Sequence, residues 1–139
     1  MYRGQSQYEK MLKYHRKALS IVDKMEPTII GNIIQVYVTA SQGYLIIGER
    51  LKDTALVDSA KVLADSVLVL ALRHDRPSAQ ASAYYVYSYY ALFHEDYENA
   101  EANALKALEF RAVTEKRSQL VMYVAIADAS AHLNNPARA

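Results

Sequence analysis

Cysteine is absent from the 139 residues, so this chain can build no disulfide, thiolate metal site or thiol nucleophile. Both oxidising and reducing compartments stay open. A strong charge of either sign is missing as well: 16 Lys and Arg against 15 Asp and Glu leave a formal net charge of +1. That balance gives no overall pull toward nucleic acid or acidic partners. No unbroken apolar run reaches the roughly twenty residues of a membrane-spanning helix. The most apolar stretch, Ile29 to Ile47, is interrupted by Asn32, Gln35, Thr39, Ser41 and Gln42, and reads as a buried helix. No secretory leader is expected, because Met1 to Gln5 runs straight into a charged amphipathic segment. Alternation with period two is lacking throughout, so no strand is predicted.

Catalytic signatures are lacking too. Four histidines (His15, His74, His94, His132) are scattered, none within an HExxH. The one local pairing, Asp128 with His132 at i,i+4, falls short of the three or four ligands a metal needs. Gly43 and Gly48 have phosphate-loop spacing, but Glu49-Arg50 follows where Lys-Ser/Thr is required. Glu95, Asp96, Glu98 and Glu101 cluster at a helix start, where negative charge meets the positive end of the dipole. His94-Glu95-Asp96 and His74-Asp75 fall at turns and read as cap residues. Lys10, Lys13, Arg16, Lys17 and Lys24 make the first helix modestly basic, a solvated face without a recognition element for nucleic acid. No catalytic, cofactor-binding or metal-binding residue is assigned, and the chain is expected not to be an enzyme.

What is present is a chain 52 % hydrophobic and 22 % charged, which excludes disorder and suits a single domain. Helical periodicity predicts an all-α fold of about six helices: Ser6 to Lys24, Pro27 to Glu49, Thr54 to Arg73, a hairpin within Ser82 to Phe110, and Glu115 to Leu133. Pro27 suits the first turn of the second helix, and Pro136 cannot continue the last. In the hairpin, Tyr97, Ala100, Ala104, Ala107 and Leu108 recur at three- and four-residue intervals and line one face. Small residues at that spacing let a partner helix approach closely, with Tyr84, Tyr87, Tyr90 and Ala91 filling the seam. In the last helix Leu120, Val121, Val124, Ala127 and Ala131 share a face, while Met122, Ala125 and Ile126 make it apolar nearly all round.

The run Asp96-Tyr97-Glu98-Asn99-Ala100, with Ala104 and Lys106-Ala107-Leu108-Glu109, resembles the closing half of a tetratricopeptide repeat. Ala104, Ser88 and Ala112 stand where that family usually has an aromatic, a glycine and a proline. The segment Tyr8 to Ile21 repeats the closing helix 89 residues earlier, pairing Tyr8 with Tyr97, Met11 with Ala100, His15 with Ala104 and Ala18 with Ala107. The resemblance implies antiparallel helix pairs stacked as a right-handed superhelix, divided as a partial repeat over 1–26, repeats over 27–76 and 77–114, and a partial repeat over 115–139. It further implies a piece of a longer array.

In such arrays the first helix of each pair lines a concave groove that holds peptides. The resemblance therefore puts Tyr85, Tyr89, Phe93 and Tyr123, with Tyr37 or Tyr44, at a partner site, as aromatic anchors carrying hydrogen-bonding tips. Packing of these tyrosines between neighbouring repeats is the structural alternative. A carboxylate clamp is only partly imitated, by Lys116, Gln119 and Tyr123. The expected function is a non-catalytic protein- or peptide-interaction module. The alternatives are a sensory or regulatory segment of a larger bacterial signalling protein, binding a ligand or dimerising, and a small-molecule pocket within the helices. Exposure of the last helix predicts self-association through Leu120, Val124 and Ala131, or burial by a partner.

Overall fold

A computed structural model describes residues 3–24 and 29–134. The protein is all-α: α1 (Arg3–Val22), α2 (Ile30–Leu51), α3 (Thr54–Arg73), α4 (Pro77–Phe93), α5 (Tyr97–Leu108) and α6 (Lys116–Leu133), with a short 3₁₀ turn at Arg111–Val113 before α6. No strand occurs among the described residues. Pro27 and Pro136, assigned to a helix start and a helix stop, lie outside them.

Three successive turns share one geometry. The amide N–H groups of Asp53, Arg76 and Asp96 each bond back 2.8 Å to the carbonyl five residues earlier, on Gly48, Ala71 and Ala91. The residue before each, Lys52, Asp75 or Glu95, takes a positive φ, which satisfies the last orphan carbonyls of the preceding helix. The next helix then starts at once. Asp53 and Asp96 accept from the N–H groups of Leu56 and Asn99, both at 3.3 Å, so Asp96 is a helix cap as its place in the sequence suggested. Pro77 opens α4 without a side-chain cap; a proline there has the backbone angle of a first turn and leaves one fewer N–H to satisfy.

These turns fold the helices into an antiparallel succession. Each helix packs on its sequence neighbours, and α4 also touches α2 and α6. The central helix α2 is therefore sandwiched, and its buried residues go round the helix: Ile33, Ile34, Val38, Ser41, Tyr44, Leu45, Ile47 and Gly48 among them. Burial against several neighbours accounts for the breadth of this set, as the reading of Ile29 to Ile47 as a buried helix implied. One core cluster joins Leu12 of α1 to Leu45, Ile47, Val57, Ala60 and Val86, and another joins Ile34, Val38, Val67, Ala71 and Ala83.

Within the two hairpins, hydroxyls close the contact. Ser41 Oγ donates to the Ala60 carbonyl and Ser88 Oγ to the Ala100 carbonyl, each at 2.8 Å and buried. A serine at position 88 instead of glycine thus adds an interhelical hydrogen bond. Of the aromatic residues assigned to the α4–α5 seam, Tyr84 is there, stacked on Phe110 with ring centroids 6.2 Å apart. Tyr87 and Tyr90 are not seam fillers: the Tyr87 hydroxyl donates to Asp65 of α3 at 2.6 Å, and Tyr90 turns to Asp58 of α3. The reason is that α4 has two flanking helices to meet, and successive residues step about 100° around it.

The sixth helix buries Met122, Ala125 and Ala129. The face read from the sequence as open to assembly is exposed at Leu120, Val124, Ala127 and Ala131, while Val121 is half-buried against the α5 alanines.

Candidate functional site

Because α4 touches both α2 and α6, these alternate helices enclose a cleft of about 400 Å³. Buried Ile34, Val38 and Met122 form its apolar floor, while Gln35 and Gln42 of α2, Ser82 and Tyr85 of α4 and Gln119 of α6 line it. Exposed Arg76 and Glu115 stand at its edge. The wall next to α6 is the link after α5, held by Thr114 Oγ1 donating to the Phe110 carbonyl at 2.8 Å and by Gln119 Nε2 donating to the Thr114 carbonyl at 2.9 Å. The lining combines amide and hydroxyl donors and acceptors with an apolar base. Such a surface can hydrogen-bond a peptide backbone or a polar ligand while burying an apolar side chain.

Tyr85 is the one predicted anchor that lines the cleft. Tyr89 adjoins it, with ring centroids 5.2 Å apart and planes at 36°. Both rings are half-buried and bridge the core clusters on either side of α4, so packing between helices and exposure to the cleft are combined in Tyr85. Burial raises the Tyr85 hydroxyl above its ordinary value; Glu49 adds to the rise and Arg117 opposes it. The Tyr89 hydroxyl is pushed up to about 12 by burial first, then by Tyr85, Glu49 and Asp128. Glu49 is itself raised by burial, against Arg50.

The remaining candidates lie elsewhere. Tyr44 is buried, with its ring edge-on to His15 at 6.1 Å, and offers no surface to a partner. Tyr37 turns its hydroxyl toward Asp23, which together with burial raises its pKa. Phe93 packs on the first core cluster, edge-on to His94. Tyr123 is exposed on α6 but is off the cleft. It follows Tyr84 by 39 residues, as Met122 follows Ala83, and so occupies the position that in α4 faces the next helix. The glutamines of the cleft carried no local signal of their own; only the stacking of α2, α4 and α6 brings Gln35, Gln42 and Gln119 together.

A second cleft, about 330 Å³, lies over Lys61, Tyr87, Tyr90, His94 and Asp96. Its polar groups are largely paired internally: Lys61 Nζ lies 3.2 Å from Asp65 and 5.8 Å from the Tyr87 ring centre. His132 stacks on Tyr97 at 4.1 Å and its Nδ1 lies 2.9 Å from the Asp128 carbonyl, so the Asp128–His132 pair is a packing arrangement. No three His, Asp or Glu residues gather as a metal-binding set among the described residues, and no helix there is long and apolar enough to cross a membrane.

Comparison with protein-family models, with curated proteins and with solved structures gives no match.

Proposed function

We propose that this chain is a non-catalytic protein-interaction module built on tetratricopeptide-like helix pairs, and that it holds an extended peptide segment in the cleft between α2, α4 and α6. The observation that carries the reading is the lining of that cleft: three glutamines, three serines and Tyr85 above an apolar floor. Amide side chains bond both the N–H and the C=O of an extended backbone, and Tyr85 supplies rigid contact area beside them. The resemblance of the α4–α5 hairpin to a tetratricopeptide repeat points the same way.

Panning a random peptide library against the chain tests this. Peptides bound by the unsubstituted chain are expected to lose tenfold or more in affinity for Tyr85→Ala and Gln42→Ala, and to keep their affinity for Tyr14→Ala on the far side. Peptides that bind all four proteins equally would reject the cleft as the site.

The cleft's volume favours one second reading. About 400 Å³ falls within the roughly 300–1,000 Å³ of small-molecule sites, which suits a sensory segment of a larger signalling protein that binds a ligand. A small polar compound that raises Tm, and loses that effect in Gln42→Ala, would favour it over the peptide reading.

A further inference from the structure

Two helices leave open the faces by which their counterparts pair. In the α2–α3 hairpin, α3 meets α2 through Val57, Ala60, Ala64 and Val67, all buried to 1 % exposure or less. The same positions 43 residues later, set by the shared cap residues Asp53 and Asp96, are Ala100, Asn103, Ala107 and Phe110, buried or half-buried against α4. Counting back 89 residues from these places Met11, Tyr14, Ala18 and Ile21 on α1. There Met11 is 37 %, Tyr14 56 % and Ile21 53 % exposed. The other face of α1 is occupied: Tyr8, Leu12 and Leu19 pack into the core, as Ala104 and Leu108 of α5 pack with Met122 and Ala125 of α6.

The last helix shows the complementary gap. Tyr84 and Ser88 of α4, which meet Phe110 and the Ala100 carbonyl, correspond to Tyr123 and Ala127 by the 39-residue offset between the starts of α4 and α6, and Ala81, a turn earlier, corresponds to Leu120. Leu120 is 65 % and Tyr123 52 % exposed, and Ala127 is exposed as well. Among the described residues, α6 thus exposes the face of a first helix and α1 the face of a second helix of the same hairpin design.

We propose that copies of this chain associate head to tail, α6 of one copy pairing with α1 of the next as α4 pairs with α5 inside the chain. The internal contacts specify the external ones. Ser88 on the Ala100 carbonyl corresponds to Ala127 against Met11. Tyr84, stacked on Phe110 and with the Lys106 ammonium 5.5 Å from its ring centre, corresponds to Tyr123 against Ile21 with Lys17 over the ring. The interface joins unlike faces, so association continues beyond two copies unless the rotation closes a ring. An α6-to-α6 dimer through Leu120, Val124 and Ala131 would instead set like faces together and leave the exposed Met11, Tyr14 and Ile21 of α1 uncovered. This proposal is independent of what the cleft binds.

Sedimentation across a concentration range, with Tyr14→Glu and Leu120→Glu as variants at exposed positions, provides the test; far-UV circular dichroism checks that both fold. The unsubstituted chain is expected to grow in mass with concentration and each variant to stay monomeric, while an equal mixture forms dimers and nothing larger, because each variant supplies the face the other lacks. An unsubstituted chain that stays monomeric overturns the proposal, as does a Tyr14→Glu variant that dimerises alone. The cysteine-free background allows a second readout: mild oxidation of mixed Met11→Cys and Ala127→Cys chains is expected to yield the mixed disulfide. Ala127→Cys chains linking only to themselves, or no link in the mixture, would count against it.

Discussion

Lys52, Asp75 and Glu95 have φ values of 52, 51 and 58°, a left-handed conformation that glycine adopts freely and aspartate tolerates, but that costs lysine or glutamate about 1 kcal/mol or more. Each is held there by the hydrogen bonds that end one helix and orient the next. Replacing Glu95 with glycine removes the steric cost and adds some unfolded-state entropy, so Glu95→Gly is expected to stabilise the chain by about 0.5–1 kcal/mol. The same change three residues on, Glu98→Gly, falls inside α5 and is expected to destabilise by about 1 kcal/mol. Urea midpoints at unchanged m-value read both signs. Asp96 as a cap was legible from its place before an alanine-rich helix. The left-handed residues were not, because none is a glycine.

The two hairpins cross near their turns with different pairs of residues. In α2–α3 a glycine meets a valine: a Cβ on Gly48 would come 2.7 Å from Val57 Cγ2 and 2.9 Å from the Val57 backbone nitrogen. At the same turn positions α4–α5 places Ala91 against Ala100, both buried in one cluster. The close approach is kept while the side-chain volume is shared differently, which is overpacking avoided by two routes. Gly48→Ala is expected to cost about 1–3 kcal/mol. Adding Val57→Ala should recover part of it, by copying the second hairpin; a double-mutant cycle in thermal or chemical denaturation measures the coupling. No recovery would mean that the backbone contact alone sets the cost. Gly43, like Gly48, is required by a close approach: a Cβ there would overlap the His15 imidazole. Gly31 is exposed, beside the Arg76 guanidinium.

For the molecule as a whole, the tyrosines of α4 make alkaline stability a test of the packing. Burial is the first cause of the raised pKa at Tyr85, Tyr87, Tyr89 and Tyr90. These hydroxyls keep their protons in the folded state after the unfolded chain, titrating near 10, has released them. The unfolded state then binds fewer protons, so stability falls as pH rises. It is expected to be level up to about pH 9 and to decline above about pH 10, in step with tyrosinate absorbance appearing late. Tyr89→Phe should make the decline shallower, because it deletes a group held up to about 12. An unchanged slope in that variant would place the titrating groups elsewhere.

Local sequence was enough for the all-helical class, the α4–α5 hairpin, the cap at Asp96 and the exposure of Leu120 and Val124 on the sixth helix. Each is a matter of local periodicity or of residues within one turn of each other, and such signals survive without tertiary context. Tertiary structure alone decided which face of each helix is covered. In α6, apolar residues occur nearly all round, so periodicity could not choose between Leu120 and Met122, and the alanines of α5 made the choice. In α4 two neighbours compete for one helix, which sent Tyr84 to α5 and Tyr87 to α3. The cleft depends on alternate helices lying side by side, and its glutamines are dozens of residues apart in the chain. No local pattern encodes that juxtaposition; it follows from repeated turns that bring each helix back beside the one before.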